Sequence, residues 1–153
     1  MGRGGQVSIP EFFPHRVFRE TPEVTFYDIS VPGSNATDLV IHGPGAISPP
    51  DGDFYVHRHQ TDYNRVVRGS RTFELVNRSW ENPYHVVTLD LHSGALVIPP
   101  ETYHRSVSGR QGSIVINHAV RDEYFDERLE FIPVPRARLC DIIDYIDPVK
   151  HGC

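Results

Sequence analysis

Two histidines with strand-like spacing are the first residues in this chain that could do chemistry. His57 and His59 stand two residues apart in residues 55–63, where apolar and polar side chains alternate. In a β-strand, residues i and i+2 point to the same face, so this spacing directs both imidazoles to one point. His104 is the best candidate for a third ligand of a metal ion. The alternative is an incidental pair of surface histidines, because the chain contains nine.

The spacing of glycines and prolines around these histidines resembles the two motifs of the cupin superfamily. The first block is His57-x-His59 between two glycines, and the second runs from Gly94 through two prolines to His104. The resemblance covers residues 52–108, and it implies that the three histidines occupy the cupin ligand positions. It also implies an all-β fold, the double-stranded β-helix or jelly roll of a small single-domain cupin.

Two positions depart from the cupin motifs. Tyr63 stands where the first motif usually has a glutamate ligand, and Glu101 stands where the second has a glycine. Asp62 lies one residue before the glutamate position, on the opposite face of a regular strand. It could therefore replace the glutamate only if a β-bulge redirects it.

A narrower similarity is to the three-histidine, ring-cleaving cupin dioxygenases that act on gentisate and salicylate. It is carried by His57-Arg-His59 followed by Arg65 and a glycine, and by Ile-Pro-Pro ahead of Tyr-His104. The resemblance implies a metal-dependent dioxygenase that oxidises a small hydroxylated, aromatic acid. The implied cofactor is Fe(II), with Zn, Ni, Mn or Cu as alternatives that imidazole ligands also accept.

Four further side chains are candidates for roles in catalysis. Arg65 shares a strand face with Tyr63 and would clamp a substrate carboxylate if that face is inward. Otherwise it belongs, with Arg68 and Arg71, to a solvated basic edge. Tyr63 and Tyr103 would orient the substrate or donate a proton, unless they are core residues with satisfied hydroxyls. His118 is a candidate base beside the metal.

Two alternative functions remain open. The second block is also similar to that of the sugar-nucleotide epimerases and ketoisomerases, which are small cupins that need no metal. That resemblance implies His57 or His104 as the base and Tyr63 or Tyr103 as the acid of a proton transfer, which contributes roughly 10²–10⁴-fold to rate. The third possibility is a cupin that binds a small molecule without catalysis.

The elements that would position these residues are short strands. Strands are predicted at residues 23–29, 39–41, 54–59, 63–67, 72–76, 85–91, 95–98, 103–107, 113–119 and 129–134. Residues 63–67 and 72–76 are expected to form a hairpin across Gly69-Ser70. Leu139, Ile142, Ile143 and Ile146 recur at helical spacing, which predicts a short C-terminal helix that Pro148 ends. We expect a flexible segment at residues 1–10 and one cupin domain at residues 11–153.

Composition narrows the partners. The net charge of −5 is spread without long runs, which argues against nucleic acid or an anionic membrane surface. No apolar run is long enough to cross a bilayer, and the first residues lack the apolar core of a signal peptide. Cys140 and Cys153 match no disulfide framework or zinc spacing and are expected to be reduced. These features predict a cytoplasmic protein that binds a small-molecule substrate, and the cupin resemblance implies a homodimer.

Overall fold

The computed structural model describes residues 9–146, and strands dominate this part of the chain. The strands are β1 (Glu11–Phe13), β2 (Arg16–Glu20), β3 (Thr25–Asp28), β4 (Ala36–His42), β5 (Ile47–Ser48), β6 (Gln60–Val76), β7 (Tyr84–Leu89), β8 (Ala95–Ile98) and β9 (Tyr103–Arg121). The helices are α1 (Glu127–Glu130) and α2 (Cys140–Ile146). No described helix has the length and apolar character needed to cross a membrane.

Two long strands, β6 and β9, organise the sheet. They pair antiparallel over their whole length, from Gln60 opposite Arg121 to Val76 opposite Tyr103. The first half of β6 and the second half of β9 lie in a layer with β1, β8 and β4, whereas the other two halves pair with β7 and β5. The two layers face each other. The predicted all-β architecture is confirmed.

Glycines let β6 and β9 bend together between the two layers. Gly69 and Gly112 both have left-handed backbone angles, with φ of 74° and 76°. The register of the pair shifts on either side of this point, between Val66 and Arg68 and between Gly69 and Arg71. A β-carbon on Gly69 would overlap the carbonyl oxygen of Gly112, so only glycine fits at this crossing.

The core lies between the two layers. Its main cluster consists of Val66, Phe73, Leu75, Trp80, Leu89, Leu96, Ile98 and Val115, which come from both layers. A second cluster contains Ile143 of α2 and Leu139 just before it, which pack with Phe54 and Tyr84. Removing this apolar area from water stabilises the sandwich by roughly 25 cal/mol per Å².

Several predicted elements differ from the structure. The predicted hairpin of residues 63–67 and 72–76 is wrong, because both segments are parts of β6 and pair with β9 rather than with each other. Residues 54–59 form only isolated bridges, at Phe54 with Val134 and at Tyr55 with His104. The predicted strand at 129–134 is wrong, because α1 occupies its beginning.

The ends of the chain were predicted with mixed success. The C-terminal helix is confirmed as α2, whereas Pro148, its predicted end, lies outside the described residues. Residues 1–8 of the predicted flexible segment also lie outside them. Cys140 is disulfide-bonded, so the prediction of a reduced thiol at this position is wrong. Cys153 lies outside the described residues.

The glycine bend gives a stability prediction. Gly69→Ala should lower the free energy of unfolding by about 3 kcal/mol, because a left-handed angle and a backbone overlap add together. Gly33→Ala is the matched control: Gly33 has φ of 79° but no atom within 4 Å of the added carbon, so about 1 kcal/mol is expected. Urea unfolding measures both, and equal losses would contradict this account of the bend.

Candidate active site

The two histidines of the first motif point in different directions. His57 is buried, and its Nδ1 lies 2.8 Å from the carbonyl oxygen of Glu130. His59 is partly exposed, and its Nδ1 lies 3.0 Å from a carboxylate oxygen of Asp122. The i, i+2 rule fails here because residues 57–59 precede the first strand residue, Gln60, and lack strand conformation. The structure therefore does not bring His59 together with His57.

His104 and Asp62 are the groups that meet His57. The rings of His57 and His104 have centroids 4.9 Å apart. Asp62 Oδ2 lies 3.4 Å from Nε2 of His57 and 3.7 Å from Nε2 of His104. All three side chains are buried, and their ligand atoms lie within 4.8 Å of one another. In the described residues this set, and not the three histidines, is the group that could hold a cation.

Asp62 reaches this position without a bulge. Strand β6 begins at Gln60, and from there every second side chain points into the interior. These inward side chains include Gln60, Asp62 and Asn64. Asp62 Oδ1 accepts hydrogen bonds from Gln60 Nε2 at 2.6 Å and from Asn117 Nδ2 at 2.8 Å. Gln60 Oε1 in turn accepts from Arg121 Nε at 2.7 Å. Two amide donors stabilise the carboxylate, and Oδ2 is left to face the imidazoles.

The carbonyl partners of the two histidines fix their tautomers. His57 Nδ1 faces the Glu130 carbonyl, and His104 Nδ1 lies 3.0 Å from the Thr102 carbonyl, so both Nδ1 atoms donate. Each Nε2 is then an acceptor in the neutral ring. Two acceptor nitrogens and the Asp62 carboxylate therefore face one another with no donor. A proton that either Nε2 takes from a substrate would relieve this repulsion, because it could be donated to the carboxylate.

A polar cavity of about 190 Å³ opens beside this cluster. Among its lining residues are Tyr55, His57, Asp62, Asn64, Arg71, His104 and Asn117. The ring of Tyr55 lies 6.3 Å from that of His104, centroid to centroid, and Phe131 packs beside both Tyr55 and His57. Tyr55 is thus the tyrosine that the described structure places in this cavity.

The four predicted catalytic side chains lie elsewhere. Tyr63 is on the outer face of β6 and packs edge-on against Phe13. Arg65 is buried on that same face, 1% exposed, and is neither solvated nor in the cavity. His118 is on the outer face of β9, with Nδ1 3.3 Å from Thr37 Oγ1. Tyr103 packs against the second core cluster. None of the four lines the cavity described above.

Sequence reasoning missed the residues that complete the site. No function was predicted for Gln60, Asn117, Arg71 or Tyr55. They could have been predicted from the position at which β6 begins, because that position decides which of its side chains point inward. If β6 begins at Gln60, then Gln60 and Asp62 face inward, and Tyr63 and Arg65 face outward.

No protein-family model and no curated protein sequence matches this chain. Several solved structures, however, have a similar fold. The sugar 3,4-ketoisomerase QdtA from Thermoanaerobacterium thermosaccharolyticum, in complex with TDP, is 13% identical with a TM-score of 0.65, covering 87% of this chain and 93% of its own. A mutant of that ketoisomerase in complex with TDP-4-keto-6-deoxyglucose is 14% identical with a TM-score of 0.62, at 78% and 83% coverage.

A third similar structure is the dTDP-4-dehydrorhamnose 3,5-epimerase from Sulfolobus tokodaii. It is 19% identical with a TM-score of 0.54, and the match covers 74% of this chain and 68% of the epimerase. The fold is the jelly roll of the cupins. The predicted fold class, a cupin barrel with a short C-terminal helix, is therefore confirmed.

The predicted dioxygenase activity is wrong. The similar structures are sugar-nucleotide isomerases and epimerases, which agree with the alternative prediction instead. The predicted Fe(II) cofactor, with Zn, Ni, Mn or Cu as substitutes, is wrong for the same reason. The geometry explains the error, because the inference required three converging imidazoles and His59 turns towards Asp122.

The buried histidine predicts a pH dependence of stability. Burial and, to a smaller extent, the charge of His57 lower the pKa of His104 from 6.5 to about 4, although Asp62 and the Thr102 carbonyl act in the opposite direction. The unfolded chain therefore binds a proton that the folded chain does not, and stability should fall as the pH drops from about 6.5 to 4. In His104→Gln this fall should be shallower, by up to about 1.4 kcal/mol per pH unit. Denaturant unfolding across this pH range tests it, and an unchanged profile would contradict it.

Proposed function

We propose that this protein is a sugar-nucleotide epimerase or ketoisomerase. Such an enzyme removes a proton from the carbon beside a carbonyl group and returns a proton to the other face or to the neighbouring carbon. The observation that supports this proposal is the buried cluster of His57, Asp62 and His104 in the wall of a polar cavity. The similarity of the fold to sugar-nucleotide isomerases supports the same reaction class.

The cluster acts as the base. Each Nε2 carries a lone pair, and Asp62, 3.4 Å and 3.7 Å away, stabilises the imidazolium that forms when either takes a proton. The two rings have centroids 4.9 Å apart, so a positive charge on one of them opposes a charge on the other, and one ring at a time takes the proton. A base that is neutral at neutral pH and is stabilised in its charged form is suited to removing a proton from carbon.

Tyr55 is the acid that the cavity offers. Its ring lies beside His104 and against Phe131, which keeps one edge of the phenol away from bulk water. When a proton leaves the carbon beside a carbonyl, negative charge develops on the carbonyl oxygen. A hydroxyl placed within reach of that oxygen donates a hydrogen bond, or its proton, as the charge appears. This role replaces the predicted roles of Tyr63 and Tyr103.

The size of the cavity sets which part of the substrate enters it. At about 190 Å³ it is smaller than the 300–1,000 Å³ typical of sites that enclose a whole drug-sized ligand. We infer that the sugar enters the cavity and the nucleotide stays outside it. The reacting carbon then lies among His57, His104 and Tyr55.

Hydrogen exchange with solvent tests this function. The protein should introduce deuterium from D₂O into TDP-4-keto-6-deoxyglucose at a carbon beside the carbonyl, observed by NMR. His57→Gln and His104→Gln should each slow the exchange by about 10²-fold or more, because the base is lost. Tyr55→Phe should slow it to a similar degree.

Two matched variants serve as controls for that experiment. His59→Gln and Tyr63→Phe remove the same groups from positions outside the cavity, and both should keep the wild-type exchange rate within about twofold. If His59→Gln reduces exchange as much as His104→Gln does, the assignment of the base is wrong. If the sugar nucleotide binds without any exchange, the protein is a binder and not an enzyme.

We also propose that the protein forms a homodimer through the outer face of β4. Leu39 and Ile41 are 65% and 68% exposed there, and they pair across the strands with Ile116 and Ile114. Adjacent exposed apolar residues of this kind mark association surfaces. Leu39 and Ile41 are therefore the residues to change in a variant that tests the dimer.

Light scattering on the size-exclusion eluate measures the oligomeric state. The wild type should elute as a dimer, and the double variant Leu39→Glu, Ile41→Glu should elute as a folded monomer, because two buried charges per subunit oppose association. The matched control is Leu129→Glu, which changes a residue that is 68% exposed on α1. A wild type that is monomeric at all concentrations would contradict the proposal.

A further inference from the structure

One buried cation in the cavity has no use in the proton transfer described above. Arg71 lies in the second half of β6, is 3% exposed and lines the same cavity as His57 and His104. Its Nε donates a hydrogen bond to Ser113 Oγ at 2.9 Å. Its Nη2 is buried and has no hydrogen-bond partner. Within residues 9–146, no carboxylate forms an ion pair with it.

An unpaired guanidinium in such a place is costly to the folded protein. Taking a charge out of water carries a large penalty unless an opposite charge compensates for it. Burial lowers the pKa of Arg71 to about 10, with no acidic group acting against this shift. Arg71 is therefore still charged at neutral pH. The other carboxylates in the cavity wall are committed elsewhere: Asp62 faces the imidazoles, and Asp38 lies 4.0 Å from Arg121.

The surroundings of Arg71 are those of an anion site. His42 lines the cavity, and its Nδ1 is buried without a hydrogen-bond partner. Burial and the charge of Arg71 lower the pKa of His42, which keeps this ring neutral. Ser48 and Ser106 also line the cavity and offer hydroxyl donors. A guanidinium with neutral donors around it matches the geometry of a carboxylate or phosphate group.

We propose that Arg71 and His42 form an anion-binding subsite in this cavity. The subsite binds a carboxylate or phosphate-ester group carried by the sugar itself. The identification of the ligand as a sugar rests on the proposed function, whereas the anion subsite does not. The preferred substrate is then an acidic keto sugar, and TDP-4-keto-6-deoxyglucose, which lacks that acidic group, serves in the exchange experiment as an analogue of it. The base cluster and the subsite lie in one cavity, so the anionic substituent would fix which carbon of the ring faces His57 and His104.

Calorimetric titration of the full-length protein tests the subsite with four probes: D-glucuronate, inorganic phosphate, TDP and neutral D-glucose. Glucuronate or phosphate should bind, and Arg71→Met should weaken that binding by about tenfold or more, because the guanidinium that pairs with the anion is lost. Arg110→Gln, which removes an exposed charge from the bend of β9, should leave it within about twofold. Binding of glucose should not differ between the variants.

The probes separate the possible sources of the anion. Loss confined to glucuronate assigns a carboxylate, and loss confined to phosphate assigns a phosphate ester. If Arg71→Met weakens only TDP, the subsite holds the diphosphate and the proposal is wrong. It is equally wrong if Arg71→Met binds every probe as the wild type does, or if the wild type binds neither glucuronate nor phosphate.

A second measurement does not depend on the folding of the variant. Phosphate or glucuronate should raise the melting temperature of the wild type above its value in chloride at equal ionic strength, since a ligand of the folded state stabilises it. No rise with either anion would overturn the subsite. The proposed function fails separately: if deuterium exchange is absent but anion binding depends on Arg71, the subsite stands without the isomerase reaction.

Discussion

The site depends on one carboxylate that is buried between two imidazoles in the interior of the sandwich. Asp62 carries its charge there because Gln60 and Asn117 donate to one oxygen, and the other oxygen faces His57 and His104. Breaking any of these contacts would leave a buried charge or a buried acceptor unsatisfied, at a cost of several kcal/mol. The cluster is thus both a structural constraint on the interior and the group that would act as the proposed base.

The cluster forms because the pairing of β6 and β9 decides which of their side chains point into the interior. Asp62 from β6 and Asn117 from β9 face the same interior because the two strands pair in register, Asn64 opposite Asn117. A slip of one residue would turn Asp62 to the outer face and bring Tyr63 inward. The apolar cluster around Val66 and Val115 opposes such a slip, because the same slip would expose it to water.

The sequence was sufficient to predict the jelly roll and two of the three groups in the cluster. Alternating strands with glycine and proline turns specify the architecture, and the two motif blocks identify His57 and His104. The sequence did not reveal where β6 begins, and this determines every inward and outward assignment along it. His59 was misplaced because a bend precedes Gln60, and no residue in 57–59 is specific for a bend.

Arg65 and Arg71, further along β6, also show that the sequence does not reveal which side chains point inward. They stand six positions apart in the sequence, so strict alternation would put both on one face. The structure puts Arg65 outside and Arg71 inside, because the register shifts around Gly69 change the phase. A glycine in a strand signals a bulge or a bend, but not how many residues the bulge takes up. The face of the sheet on which each arginine lies could therefore be learned only from the structure.

The protonation state of the two buried histidines is the most direct test of this account, and nitrogen-15 NMR of the imidazole rings measures it. Both His57 and His104 should carry a proton on Nδ1, and Nε2 of His104 should be unprotonated at neutral pH. Asp62→Asn should lower the pKa of His104 further, because the Asp62 carboxylate opposes the effect of burial. A His104 ring that carries its proton on Nε2, or a pKa of His104 that Asp62→Asn leaves unchanged, would contradict this account of the site.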